Sequence, residues 1–319
     1  MPSKAVMDQV KRIIPPLTSK LHKGQAGRVG VVGGSADYTG APYFSAISAL
    51  RLGADISQVI CEPTAGQVIK TYSPDLIVNP IIHEDSTADS IKPVMEGLVS
   101  RLHVIVIGPG LGREEKTQSI GRVALKVART QGKYVVVDAD GLWLIQHEPH
   151  LVQGYKRAVL TPNVVEFKRL CDAMQVPKDS PPDKLASLLS KAFGNVTILQ
   201  KGPEDIITNG ERIEITDIEG GLKRVGGQGD ITSGTVGTFL AWGYNYEQGQ
   251  KDSNDPSLDL QDIPLLAAIG GSHITRVASR IAFSKYGRGV LTSNMLEEIG
   301  PAYETLFGEK GEKGLKGQL

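Results

Sequence analysis

Short β-branched runs alternate with helical patterns along most of this chain, and that alternation permits few folds. Apolar runs at 29–32, 56–61, 104–107, 134–137, 158–160 and 196–199 read as buried strands. Helical patterns over 43–52, 116–131, 164–174 and 183–193 separate or follow them. Segments 205–208 and 212–215 flank Asn209-Gly210, a strong hairpin signal. Helices over 232–246, 264–283 and 291–299 complete the pattern. Repeated β–α units predict an α/β fold: a mainly parallel central sheet with helices on both faces, in three layers. In such sheets ligands bind beyond the carboxyl ends of the strands. The segments with unusual chemistry fall there: 33–38, 108–112, 138–140, 161–166, 201–202 and 226–230.

The most informative of these is Gly226-Gly227-Gln228-Gly229-Asp230, which runs into an apolar helical stretch. Glycines let backbone N–H groups approach an anion closely. The first N–H groups of a helix lack internal partners, and its dipole favours negative charge. Asp230 at the helix start is placed either to cap the helix or to take a proton from a hydroxyl beside a bound phosphate. Glycine nest, helix N-terminus and carboxylate together describe a phosphoryl-transfer site.

Other turns carry two readings each. Gly108-Pro109-Gly110-Leu111-Gly112 is either a close approach to a polar ligand or a tight strand-to-helix turn, and its proline and spacing do not fit a dinucleotide fingerprint. Asn163 and Glu166, three apart, share a helix face. They are placed to hold magnesium indirectly, through water, or to form a capping box. Lys201-Gly202 after a strand puts a cation near phosphates or leaves a solvated lysine. Asp138 and Asp140 bind magnesium or hydroxyls, or cap a helix beginning near Leu142. His22-Lys23-Gly24 reads as a surface loop.

Composition narrows the partners. The chain has 35 Lys and Arg against 35 Asp and Glu, so it lacks the basic excess expected for nucleic-acid binding. No run approaches the ~18 apolar residues of a membrane span, and residues 1–11 have no signal-type apolar core. Cys61 and Cys171 read as buried thiols, with no Cys/His cluster at metal-ligand spacing. A cytoplasmic setting is expected. A single domain over 1–319 is expected, with 1–20 as an N-terminal extension, 248–261 as a loop and 308–319 as a disordered tail.

Taken in order, these pieces resemble the ATP-dependent (S)-NAD(P)H-hydrate dehydratases of the ribokinase-like superfamily. The resemblance runs from about His22 to Gly300 through Gly33-Gly34-Ser35, Tyr38, Gly40-Ala41-Pro42, the stretch Ala49-Leu50-Arg51-Leu52-Gly53-Ala54, and Gly108–Gly112. It continues through Asp138-Ala139-Asp140-Gly141, Leu160-Thr161-Pro162-Asn163 with Glu166-Phe167, Lys201-Gly202 and Gly227-Gln228-Gly229-Asp230. It implies a ribokinase-like fold, ATP as co-substrate and Mg2+. The implied substrate is the C6-hydrated form of NADH or NADPH (NADHX or NADPHX). Gly112, Asn163, Val164, Val165, Glu166, Phe167, Lys168 and Arg169 would meet the hydrate. Lys201, Gly202, Pro203, Glu204 and Asp205 would line the ATP site, as would Gly220, Gly221, Leu222, Lys223, Arg224, Val225, Gly226, Gly227, Gln228 and Gly229. Asp230 would be the catalytic base, with the Gly227 and Gly229 backbone beside it. Gln228 resembles the eukaryotic, ATP-using branch, whereas bacterial members carry serine there and prefer ADP. The resemblance also implies a functional link to an NAD(P)H-hydrate epimerase and leaves homo-oligomerisation open. Val225-Gly226 stands where superfamily sugar kinases carry Asp-Thr, and no sugar-kinase-like lid precedes the first strand. Two alternatives remain: a small-molecule kinase, acting on a vitamin precursor or sugar, with a stable phosphorylated product, and a non-catalytic nucleotide-binding module, against which the intact Asp230 argues.

Overall fold

The computed structural model describes residues 2–17, 19, 22–83, 86–177, 180–249 and 258–308. The expected tail lies almost wholly outside these residues, as does most of the expected 248–261 loop.

Helix α1 (Lys4–Arg12) precedes β1 (Arg28–Val32), α2 (Gly40–Leu52), β2 (Ile56–Ile60), α3 (Pro63–Ile69) and β3 (Ile77–Asn79). Next come α4 (Ala88–Val99), β4 (Val104–Ile107), α5 (Glu115–Thr130), β5 (Tyr134–Val137), α6 (Asp140–His147) and β6 (Ala158–Leu160). The chain continues through α7 (Val164–Ala173), α8 (Pro182–Ala192), β7 (Thr197–Gln200), β8 (Asp205–Thr208) and β9 (Ile213–Thr216). It closes with α9 (Gln228–Glu247), α10 (Ile263–Tyr286), α11 (Thr292–Glu297) and α12 (Ile299–Phe307).

The strands form one nine-stranded sheet in the order β3-β2-β1-β4-β5-β6-β7-β8-β9. Strands β1 to β7 pair in parallel, and β8 and β9 add an antiparallel edge. Successive strand residues serve opposite faces. Val29, Val31, Val104, Val106 and Val136 join a core with α2, α9, α10 and α12. Ile105, Ile107, Val135 and Val137 join a second core with α4 to α8. Burial on both faces explains why these strands read as continuous apolar runs. This three-layer arrangement is the one expected.

Three differences from the sequence reading have local causes. Helix α9 begins at Gln228, not 232, because tertiary packing carries it through Gly229, a poor helix former. Helices α3 and α4 escaped notice because they contain Gly66 and Pro93, and β3 is only three residues long. Residues 4–12, expected in an extension, form a helix whose Val6 and Val10 are buried in the core shared with α10.

Helix α9 is buried from Ile231 to Gly243, as an all-round apolar helix must be. Its position over β1, β4 and β5 fixes where its N-terminus meets the sheet edge. The strand order reverses between β1 and β4, the place where open α/β sheets leave a crevice.

Candidate active site

The segments after β1, β4, β5, β6 and β7 follow adjacent parallel strands, so they line up along one edge of the sheet. These are the 33–38, 108–112, 138–140, 161–166 and 201–202 turns. His22–Gly24, by contrast, enters β1 from the opposite edge. It is tied there by Gly24 N donating to Asp55 Oδ2 at 2.7 Å, as befits a structural loop.

Close backbone contact holds the turns together. A side chain at Gly108 would overlap the Asp138 carbonyl oxygen and the Gly141 nitrogen, so only glycine lets the β4 and β5 turns touch. Between Asp138 and Asp140, Ala139 takes φ 48°, ψ −119°. A non-glycine residue there is strained, and it lies between two aspartates with different partners. Asp140 accepts from Gly112 N at 3.0 Å and from Arg113 Nε at 3.0 Å. Asp138, 2% exposed, accepts from Lys201 Nζ at 2.8 Å.

Lys201 also reaches the helix N-terminus, for a Cβ at Gly229 would lie 3.2 Å from its Nζ. The N-cap of α9 is Gly227 at φ 95°. A residue with a side chain is disfavoured there by the left-handed backbone, and its Cβ would stand 2.9 Å from both Phe44 and Thr292. Thr292 Oγ1 further braces the turn by donating to Gly226 O. The Gly229 and Asp230 N–H groups have no acceptor among the described residues, as expected for a first turn awaiting an anion. Asp230 is the third residue of α9, and Gly227 rather than Asp230 holds the cap position.

Four carboxylates, Asp138, Asp140, Glu166 and Asp230, interact around Lys201. Burial, and then the Asp138 charge, raise Asp230 well above the ordinary carboxylate range, with Lys201 opposing. Glu166 is raised by burial first and then by Asp138 and Asp140, with Lys201 and the Asn163 N–H opposing. Burial alone would lower the Lys201 ammonium. Asp138, Glu166 and Asp230 reverse that and hold it raised, hence charged. A raised carboxylate beside a charged lysine at a helix N-terminus has the attributes of a general base.

Asn163 and Glu166 do form a capping box on α7. Asn163 Oδ1 accepts from Val165 N at 2.9 Å and Glu166 N at 3.0 Å, and Glu166 Oε2 accepts from Asn163 N at 2.8 Å. Glu166 Oε1 alone of these oxygens has no hydrogen bond among the described residues. No group of three Asp, Glu, His or Cys side chains among those residues is placed to hold a metal by itself. A magnesium ion normally takes one or two carboxylates and completes its octahedron with phosphate oxygens and water. The donor set fits an ion carried by a polyphosphate rather than a protein cage.

A cavity of about 660 Å³ opens beside Lys201 and Gly229. Of the residues expected to contact ATP, it is lined by Lys201, Gly202, Pro203, Asp205, Gly220, Arg224, Val225, Gln228 and Gly229. Asn163, Val164 and Val165, expected to meet the hydrate, line the same cavity. The other expected residues do not line it. Gly221 N donates to Ser279 Oγ, Lys223 Nζ to Val290 O, and Glu204, Leu222 and Lys168 are exposed. Phe167 is buried in the core beneath α7, and Arg169 lines a small hollow with Glu166, Arg113 and Trp143. Thr232, Ser272, Thr275 and Arg276 line the cavity without having been anticipated. The last three come from α10, whose apolar pattern gives no sign of a binding role.

The three-layer fold, with its parallel sheet and edge crevice, is ribokinase-like. A ribokinase-like superfamily protein from Enterococcus faecalis superposes with a TM-score of 0.72 at 20% identity, covering 95% of each chain. The ADP/ATP-dependent NAD(P)H-hydrate dehydratase of Bacillus subtilis, co-crystallised with ATP and Mg2+, gives 0.64 at 18% identity, covering 94% of this chain and 97% of that one. The sequence is closer to others. The ATP-dependent (S)-NAD(P)H-hydrate dehydratase of Mycosarcoma maydis is 48% identical, covering 96% of this chain and 89% of that protein. The Bos taurus protein of the same name is 47% identical over 95% and 90%. The model of the NAD(P)H-hydrate dehydratase family matches residues 29–301, and the chain belongs to that family.

Proposed function

We propose that this protein is an ATP-dependent (S)-NAD(P)H-hydrate dehydratase, a hydro-lyase that restores NADH or NADPH from the C6-hydrated cofactor. The observation carrying this reading is Asp230, third residue of α9, raised in pKa within reach of the Lys201 charge and next in sequence to Gly229, which lines a nucleotide-sized cavity. ATP occupies the cavity with its terminal phosphoryl group at the Gly229 and Asp230 N–H groups. The hydrate lies toward Asp138, Asp140 and Gly112, so its hydroxyl comes between Asp230 and the phosphoryl group.

Hydroxide is a poor leaving group, and phosphorylation converts it into a good one. Asp230 takes the C6 hydroxyl proton while the oxygen attacks the phosphoryl group and ADP departs. The helix N-terminus stabilises the charge that develops. The ring-nitrogen lone pair then expels phosphate, and loss of a C5 proton restores the dihydropyridine. Lys201, held charged by Asp138, lies near the transferring phosphate. Magnesium, bound chiefly through nucleotide oxygens and water with Asn163 and Glu166 beside it, would neutralise phosphate charge.

The small-molecule kinase reading uses the same base but leaves a stable phosphate ester, and family membership disfavours it. The protein acts in the cytoplasm as one ribokinase-like domain, alone or as a homo-oligomer, in concert with an epimerase that supplies the S form. No helix among the described residues is long and apolar enough to cross a membrane. Incubation with hydrated NADH, ATP and magnesium tests the reading. Dihydronicotinamide absorbance rises if it is right and stays flat if it is wrong.

A further inference from the structure

We propose that Arg276 is a positioning residue of the nucleotide site, locking together the two loops that wall the cavity, and that Asp205 acts through it rather than on the nucleotide. This rests on the nucleotide reading above. One loop joins β7 to β8 and supplies Gly202 and Pro203 to the wall; the other follows β9 and supplies Gly220 and Arg224. Arg276, on α10, spans them. Its Nη1 donates to Pro203 O at 2.7 Å and Ile218 O at 3.1 Å, and Nη2 to Gly202 O at 2.9 Å. The remaining N–H groups go to Asp205, Nε to Oδ2 at 3.0 Å and Nη2 to Oδ1 at 2.6 Å.

Donor and acceptor counts separate positioning from direct contact. A guanidinium has five N–H donors, and Arg276 uses five. None is left for a ligand. A carboxylate offers about four acceptor sites. Asp205 fills them with the two Arg276 bonds, Gly202 N at 3.0 Å and Ser272 Oγ at 2.7 Å. Both side chains are buried, at 8% and 9% exposure, so water does not compete for the bonds. The pair therefore sets the separation of the walls without touching what lies between them. Lysine cannot reproduce this, because its donors radiate from one nitrogen and cannot form the fork.

The test measures binding of a non-hydrolysable ATP analogue with magnesium by calorimetry, and KM for ATP and for the hydrate, in Arg276→Lys, Asp205→Asn and the double variant. Analogue Kd and KM for ATP should rise about tenfold in each single variant. The double variant should be no worse than either, since both residues act through one link. Hydrate KM, and kcat at saturating ATP, should stay within about twofold. A folded Arg276→Lys with parental analogue affinity would overturn the proposal. So would additive losses in the double variant, which would place Asp205 on the nucleotide itself, or a fall in kcat alone. Should Arg276→Lys lose its fold, Asp205→Asn decides on the same readings. Analogue binding does not involve the hydrate, so a parent protein that binds the analogue yet leaves hydrate untouched would sink the dehydratase reading alone.

Discussion

Lys201 Nζ stands 2.8 Å from Asp138 Oδ1 and 3.2 Å from where a Gly229 Cβ would be, joining the sheet edge to the N-terminus of α9. One charge thus serves two elements, and Lys201→Met should disturb both. Removing one partner of a buried pair costs about 3 kcal/mol or more. It also removes the cation that opposes the upward shift of Asp230. If the ionised Asp230 carries the reaction, rate falls as pH drops through its pKa. Losing Lys201 should therefore move the acid limb of residual kcat/KM to higher pH. An unmoved limb would separate Lys201 from the base.

Asp230→Asn should lower kcat by ~10²–10⁴, the usual cost of losing a general base, with ATP affinity nearly unchanged. A variant keeping a tenth of parental kcat would remove Asp230 from that role. Stability should change in the opposite sense. The folded pKa of Asp230 is raised by burial, so the linked stability is complete below the unfolded aspartate value and lost as pH rises through the folded one. Above that value the parent bears the cost of a partly buried charge and the variant does not. The Tm advantage of Asp230→Asn should grow with pH in thermal melts, and an advantage confined to acid pH would contradict the assignment.

The two glycines of the nest should behave differently. Gly227→Ala forces a side chain into φ 95° against Phe44 and Thr292, and should cost roughly 1–3 kcal/mol together with ATP affinity. Gly229 does not have a left-handed φ, and its added methyl would meet only the movable tip of Lys201. Gly229→Ala should keep parental stability, while the bulkier Gly229→Val should weaken ATP binding by displacing Lys201. Denaturant midpoints and nucleotide titrations of the three variants compare these outcomes, and equal stability losses for both alanines would contradict them.

Gln228 lines the cavity, and its Oε1 is buried without a hydrogen bond among the described residues. Gln228→Ser should shift the ratio of kcat/KM for ATP over ADP toward ADP. An unaltered ratio would deny Gln228 a part in nucleotide choice.

The parallel sheet and the turns at its edge were legible in sequence because both strand faces are apolar and each turn carries glycine or an acid. The Asn163–Glu166 box was legible because its hydrogen bonds span only three residues. Arg276 was not, since its partner Asp205 lies 71 residues away and the surrounding α10 sequence reads as core. Nor could sequence tell whether Asp230 caps α9; the left-handed Gly227 takes the cap position and leaves Asp230 within the first turn. Helix α4 was hidden by Pro93, which local propensity counts against a helix and tertiary packing overrides.

The most direct test of the central claim is phosphorus NMR during turnover of hydrated NADH with ATP and magnesium. The ring nitrogen is bonded to C6, so its lone pair expels phosphate placed there. Inorganic phosphate and ADP should then appear in equal amounts with each dihydronicotinamide restored, and no ester resonance should persist. Accumulation of a stable phosphate ester, with no recovery of dihydronicotinamide absorbance, would contradict the account and make this chain a kinase.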